Sequence, residues 1–271
     1  MSQQADVVWN PTLSLYVPRV TSVLRVMDKY YLRRWFAQEA AKHGIKAGLA
    51  ISFDEDVNLE ERARVCVEAI DQEVAATADF GTEVHQWLHY FNSGKPVEPT
   101  ERIAAVVAPW PAWFEKNVIQ VFSSEWQGFG EFGRRYYAGT ADLVAELRSG
   151  TRLGHGGRTL QGDTWAVIDF KTGGQYYDDW GYQVAAYTNA ITSDPNPYLR
   201  LTIRLDRQKP GKVYCKEWVD YDNDLGIFRD CLSIWYRQNQ HRLTDMVQSS
   251  MNTSTQKEIA CLASNPTPST N

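Results

Sequence analysis

Apolar positions recur at two different periods along the chain, and the change of period divides it into a helical first part and a strand-rich second part. Val20, Val23, Leu24, Met27, Tyr31 and Leu32 are spaced for one face of a helix, with Thr21 or Ser22 available as its cap. Residues 58–77 predict a second helix with Val65, Val67, Ile70 and Val74 turned inward. Residues 82–91 predict a third, stopped at Ser93-Gly94. A turn over 96–99 and a helix over 103–117, broken near Pro109 and Pro111, complete this part. Beyond it, 118–126 and 135–147 carry β-branched and aromatic residues on either side of the glycine-rich 128–133, the pattern of a hairpin. Residues 149–163 hold five glycines and read as a loop, and 164–170 form a short, nearly all-apolar strand of the buried kind. A helix over 180–192, a hairpin of 199–207 with 212–219 about Pro210-Gly211, and a helix over 225–247 follow. The Ser-, Thr-, Asn- and Pro-rich 248–271 predict a disordered tail.

Composition sharpens this only in places. A chain of 271 residues, 43% hydrophobic, suffices for one large domain or two small ones without staples. No apolar run reaches the roughly 18 residues of a membrane span, and the N-terminal stretch lacks the pattern of a secretory signal. The net charge of -5 argues against a polyanionic partner, but the charge is uneven. Residues 1–50 hold seven Lys or Arg against three acids, whereas 51–85 hold ten acids against Arg62 and Arg64. Such runs are ordinarily solvated helix faces.

Three motifs mislead. Gly128-Phe-Gly130-Glu-Phe-Gly133 has dinucleotide-loop spacing, but the strand-like Arg134-Arg135-Tyr136-Tyr137 follows where a helix is required, so the glycines read as turn residues. His85 and His89 have the spacing of a zinc-protease helix, but Gln86 stands where a water-activating glutamate belongs. Cys66, Cys215, Cys231 and Cys261 are too scattered for a disulfide scaffold, a zinc site or an iron–sulfur cluster, and read as buried or inert thiols.

The chemistry gathers in the second part. Gly139-Thr-Ala-Asp142 places a carboxylate in a strand. Ile168-Asp169-Phe170-Lys171-Thr172-Gly173 places a carboxylate and a lysine two apart at the end of a buried strand. Positions i and i+2 share a strand face, so Asp169 and Lys171 point the same way. Burying them unpartnered is costly, and a divalent cation shared with Asp142 removes that cost. Two aspartates suit Mg²⁺ or Mn²⁺ and metal-assisted phosphodiester hydrolysis. Lys171 would orient water or stabilise developing charge, and the Phe170 backbone carbonyl would supply a further metal ligand. Gln183 and Tyr187 share a helix face at i, i+4, and His85 follows Gly81-Thr82 near a helix start as another possible ligand. Taken singly, these residues also fit a solvated helix face and a capped histidine.

The joint pattern G-T-x-x-H, G-T-x-D, I-D-x-K-T-G and Q-x-x-x-Y resembles the RecB-type branch of the PD-(D/E)xK nuclease superfamily. The segments Val17-Pro-Arg-Val-Thr21 and Lys29-x-x-Leu32-x-x-Trp35 resemble the subgroup of phage exonucleases and the mitochondrial genome maintenance exonuclease. The resemblance implies an α/β, restriction-endonuclease-like core with a mixed central β-sheet flanked by helices and a helical N-terminal part. It divides the chain into an N-terminal extension (1–16), one nuclease domain (17–247; helical to 117, sheet core and C-terminal helix after it) and the tail. It implies Mg²⁺ or Mn²⁺, one or two ions, at His85, Asp142 and Asp169, with Glu125 a weaker candidate ligand. It makes Lys171 catalytic, and sets Gln183 and Tyr187 against DNA phosphate or against Lys171. It lacks the cysteine cluster of some relatives, so no iron–sulfur cluster is expected.

The function so implied is a metal-dependent DNA exonuclease acting on ends, preferring single strands, in recombination, repair or replication, in the cytoplasm of a bacterium or a phage-infected host. The alternatives are a structure-specific endonuclease on the same fold and a non-catalytic DNA-binding subunit of a recombination complex; the intact Asp142, Asp169 and Lys171 speak against the latter. Phosphate contacts are expected from Arg25, Lys29, Arg33 and Arg34, and base stacking from Tyr176, Tyr177 and Trp180 among the chain's abundant aromatics.

Overall fold

The computed structural model describes residues 6–27, 30–50, 59–95, 97–154 and 156–263. Residues 30–33, 47–50, 59, 61–62 and 244–263 are described by backbone alone. A five-stranded mixed sheet lies at the centre, in the order β3 (Val118–Phe132), β4 (Arg135–Leu147), β5 (Thr164–Lys171), β6 (Tyr198–Leu205), β7 (Val213–Glu217). β3, β4 and β5 form an antiparallel meander. The crossover helix α6 (Asp179–Ile191) returns the chain so that β6 runs parallel to β5, and β7 closes the sheet antiparallel to β6. A separate hairpin of β1 (Val7–Asn10) and β2 (Leu15–Pro18) precedes α1 (Val20–Val23) and a 3-10 turn.

Alternation along the strands gives the sheet two unlike faces. Leu143, Ala145, Ile168, Phe170, Leu201 and Ile203 point into the larger core. Covering them are α3 (Leu59–Asn92), α4 (Glu101–Val107) and α5 (Trp110–Asn117), which contribute Phe80, Val84, Leu88, Val107 and Trp110. Val144, Val167 and Tyr137 point the other way, against Val184 and Tyr187 of α6 and Phe228, Leu232 and Trp235 of α7 (Tyr221–Ala263). α7 also caps the protruding end of the β3–β4 hairpin, where the Tyr236 hydroxyl donates to the Tyr136 carbonyl and accepts from its amide.

Several sequence expectations are corrected. The first helix stops at the 3-10 turn Leu24–Val26, and a separate helix, α2, spans Tyr30–Ala50. The two helices expected over 58–77 and 82–91 are one, because 59–92 contains no proline and a single glycine costs a helix only about 1 kcal/mol. Its inward stripe begins at Ile70 and Phe80, leaving Val65 and Val67 exposed. The glycine-rich 128–133 is mostly strand: only Gly133 has the left-handed φ (62°) of a turn. Gly128 and Gly130 instead make room for rings, since a Cβ there would come within 2.2 Å of the Trp126 and Tyr137 side chains. The N-terminal extension is partly built in, with Val7 buried in the second core. α7 runs past 247 to Ala263, through the helix-forming Gln256-Lys-Glu-Ile-Ala260, where disorder was expected; 264–271 lie outside the described residues. Among the described residues no helix is long and apolar enough to cross a membrane.

Candidate active site

The sheet opens where its carboxylates lie. β4 and β5 pair from Leu147–Thr164 up to Leu143–Ile168 and no further. Beyond that point the Phe170 amide turns to a side chain, donating to Asp142 Oδ2 at 2.6 Å. β5 continues alongside β6, so Asp169 and Lys171 stay in the sheet while β4 departs with β3.

Asp169 is 2% exposed, and Gln183 and Tyr187 are nearly as buried, on the face of α6 that meets β5. The Gln183 amide nitrogen donates to Asp169 Oδ1 (3.0 Å) and to the Tyr187 hydroxyl (2.7 Å), while its Oε1 accepts from Lys171 Nζ (3.1 Å). Lys171 Nζ is 2.7 Å from Asp169 Oδ2, an ion pair that lacks the alignment of a hydrogen bond, so Oδ2 is buried without a hydrogen-bond partner. On the other side, His85 reaches from α3 to place Nδ1 3.2 Å from Asp142 Oδ1. The G-T-x-D motif acquires a packing reason as well: a Cβ at Gly139 would sit 3.0 Å from the Tyr187 ring.

The electrostatics follow from burial opposed by pairing. Burial acts against a charged His85, but the Asp142 carboxylate outweighs it and raises the imidazole to about 9. Asp142 is desolvated too, yet His85, Lys171 and the Phe170 amide hold it below the usual carboxylate range. Asp169 goes the other way, pushed up by burial and by the Asp142 charge against the pull of Lys171. Burial also opposes a charged Lys171, but Asp169 and Asp142 keep it above its ordinary value. Tyr187, buried beside both aspartates, is raised well above its ordinary value and stays a neutral phenol.

His85, Asp142, Asp169, Lys171, Gln183 and Tyr187 thus meet in one place, together with the Phe170 backbone. Glu125 lies on β3 between the pairs Ser124–Leu143 and Trp126–Ala141, opposite Asp142, and its φ of 59° is unusual for a glutamate. Its charge contributes to raising Tyr187.

The outer candidates fare unevenly. Arg25 is ion-paired with Asp6 and donates to Ser22 Oγ (2.8 Å), Arg34 is exposed, Lys29 lies outside the described residues, and the Arg33 side chain is not described. Tyr176, Tyr177 and Trp180 gather just beyond Lys171, with Tyr177–Trp180 centroids 5.3 Å apart and the Lys171 ammonium 5.7 Å from the Trp180 ring. Cys66, Cys215 and Cys231 are free and sit on three different elements.

Sequence reasoning set a second histidine, His89, aside together with the zinc-protease motif. His89 Nδ1 is 3.0 Å from Ser124 Oγ, which approaches the Asp142 carbonyl at 3.5 Å; the i, i+4 spacing from His85 was the available signal. It missed Arg204 and Asp206, a buried pair at 2.6 Å, whose guanidinium donates to the Gly173 carbonyl behind Lys171. A lone arginine in a strand gives no sign of this.

Hard carboxylate oxygens, one of them met only by the Lys171 ammonium, and an adjoining imidazole form a donor set suited to a divalent cation. The groups are not drawn together around one point. Among the described residues, only Glu39, His43 and Glu73, between α2 and α3, bring three His or carboxylate ligand atoms within 4.8 Å of one another. There Lys42 ion-pairs with Glu39 at 2.6 Å, so part of the charge is already met. In the main site, Lys171 and Gln183 hold Asp169 while His85 and Phe170 hold Asp142, which keeps the two carboxylates in separate pairs. No family model matches the chain, and no curated protein matches it.

Proposed function

We propose that the protein is a metal-dependent DNA exonuclease of the RecB-like PD-(D/E)xK type, built on a restriction-endonuclease-like core and acting on single-stranded ends. The observation that carries the reading is the convergence of the spaced motifs: residues from α3, β4, β5 and α6, up to 102 positions apart in the numbering from His85 to Tyr187, form two adjoining hydrogen-bonded groups at the end of β5, His85 with Asp142 and the Phe170 amide, and Asp169 and Lys171 with Gln183 and Tyr187. The meander, crossover helix and parallel fourth strand support the fold assignment.

His85, Asp142 and Asp169, with the Phe170 carbonyl, would hold Mg²⁺ or Mn²⁺, and Glu125 stands opposite Asp142. Such an ion would supply charge neutralisation at the scissile phosphate and activation of water for attack. The protein's own groups do the rest. Lys171, held beside Asp169 and Gln183, would orient the attacking water or stabilise charge developing on the phosphorane. Gln183 fixes the lysine and Asp169 relative to each other through both ends of its amide. Tyr187 anchors Gln183 in turn, and the burial of this pair favours positioning of Lys171 over phosphate contact.

The test is cleavage of end-labelled single strands in Mg²⁺ or Mn²⁺, with duplex, circular and RNA substrates alongside. Cutting should disappear with EDTA, with Asp142→Ala and with Lys171→Ala. A Lys171→Ala protein that cuts like wild type sinks the assignment, and efficient cutting of circles moves it to the endonuclease.

A further inference from the structure

We propose that the turn joining β6 to β7 carries single-stranded DNA beside the cleavage site, with backbone phosphates on Arg207, Lys209, Lys212 and Lys216. The inference rests on the nuclease reading and adds a substrate path that the sequence had placed on the N-terminal helix.

Charge is the first argument. Residues 198–217 hold six basic side chains (Arg200, Arg204, Arg207, Lys209, Lys212, Lys216) against Asp206 and Glu217, in a chain whose net charge is -5. Both acids are engaged, Asp206 by Arg204 at 2.6 Å and Glu217 by Arg158 at 2.7 Å. Arg207, Lys209 and Lys212 are exposed and Lys216 is half-buried. Among the described residues, none of these four makes an ion pair. An exposed basic turn alone would be unremarkable.

Location is the second. Lys171 is in register with Arg204, and Arg204 with Tyr214, so one row of side chains crosses from the catalytic lysine to the edge strand. The Arg207 amide donates to the Thr172 carbonyl (3.2 Å) and the Arg204 guanidinium to the Gly173 carbonyl (3.1 Å), tying the turn to the residues that follow Lys171.

The third is the aromatic floor beside it. Lys216 Nζ lies 3.6 Å from the ring centroid of the buried Trp218 and 5.6 Å from that of Tyr176, which meets Trp180 edge-on; Tyr177, also against Trp180, is 39% exposed and offers the open ring. Cationic groups tracking phosphates beside rings that accept any base are the physical requirements of sequence-tolerant single-strand binding. The turn is also pre-ordered: Asp206 Oδ1 accepts from the Gln208 and Lys209 amides, so little ordering entropy is lost on binding. Arg207 donates to Thr77 Oγ1 (3.2 Å) and lies over the Phe80 ring, contacts that leave its charge unneutralised, whereas the charge of Arg25 on the N-terminal segment is met by Asp6.

The experiment is fluorescence anisotropy of a labelled oligothymidylate with the full chain in EDTA, across a series of KCl concentrations. Arg207→Glu/Lys209→Glu/Lys212→Glu is compared with Arg134→Glu/Arg135→Glu at the β3–β4 turn, and circular dichroism checks folding of each. The triple variant should bind at least about tenfold more weakly and flatten the log–log salt slope by about 2, for three phosphate contacts on a single strand; the control should bind as wild type does. Unchanged affinity and slope in the triple variant overturn the proposal, as does a wild-type protein that fails to bind or that prefers duplex or RNA. Weakened binding in a protein that cuts nothing with any metal retires the nuclease and keeps the surface. Cleavage by wild type with undiminished binding by the triple variant does the reverse.

Discussion

The two faces of β5 are held by opposite kinds of interaction. Ile168 and Phe170 look into the larger core, where the Phe170 ring stands edge-on to Trp110 at 4.9 Å and contact is non-directional. Asp169 and Lys171, one residue away on the same strand, look at Gln183 and Tyr187, where contact is directional, through hydrogen bonds and one ion pair. The first face stabilises by the area it removes from water, and the second spends stability on desolvated charge to fix geometry. That difference teaches where a substitution should unfold the protein and where it should leave a folded but silent one.

The largest effect should come from the apolar face. Trp110 is fully buried, stacked on Trp113 and donating to Asn92 Oδ1 (2.9 Å), so Trp110→Ala should cost about 3–5 kcal/mol in denaturant unfolding. The fraction that remains folded should keep its cleavage rate. Loss of rate without loss of stability would erase the contrast between the faces.

On the polar face the order reverses. Lys171→Met should reduce cleavage by about 10²–10³-fold, the scale of one lost electrostatic contact in a transition state. It should also destabilise, because it strands a carboxylate that is 3% exposed. Adding Asp169→Asn should recover most of that stability and none of the activity. A double variant as unstable as Lys171→Met would mean that the pair contributes to folding beyond its own charges.

The contrast also explains what was legible in the sequence. Asp142, Asp169, Lys171, Gln183 and Tyr187 could be grouped because strand and helix periods fix which neighbours share a face, and the motifs supplied their order. Glycines were misread because their reason lies across the sheet: Gly130 is needed by Tyr137, seven positions on, and local composition only signals a turn. The continuity of α3 was missed because Gly81 weakens a helix in isolation, whereas here the stripe Phe80, Val84, Trp87, Leu88 packs into a core that outweighs the glycine. The β6–β7 hairpin was legible from Pro210-Gly211, but its place beside Lys171, and that of Arg204, were not, since both rest on parallel register with β5, a tertiary fact.

A smaller effect should come from metal. With Mn²⁺ at about one hundred times its dissociation constant, thermal stability should rise by about 2.7 kcal/mol. Asp142→Ala should abolish the rise. His43→Ala should leave it intact, since the cluster of Glu39, His43 and Glu73 lies between α2 and α3, away from the sheet. A rise lost in His43→Ala and retained in Asp142→Ala would move the ion to the helical layer.

The smallest tests whether the protruding hairpin belongs to the polar face or merely supports it. Gly130 pairs with Tyr137, whose hydroxyl donates to the Ala186 carbonyl (2.9 Å) and accepts from Asn189 (2.8 Å) on α6, the helix that carries Gln183. A Cβ at position 130 would sit 2.2 Å from the Tyr137 ring, so Gly130→Ala must displace that ring and should cost about 1–3 kcal/mol. If the hairpin only buttresses α6, the rate at saturating DNA should fall severalfold at most, and Tyr137→Phe, which keeps the ring and drops both hydrogen bonds, should reproduce any fall. A rate loss in Gly130→Ala as large as that of Lys171→Met, with stability intact, would mean that the position of α6 is set from the hairpin and not from the strand beneath it.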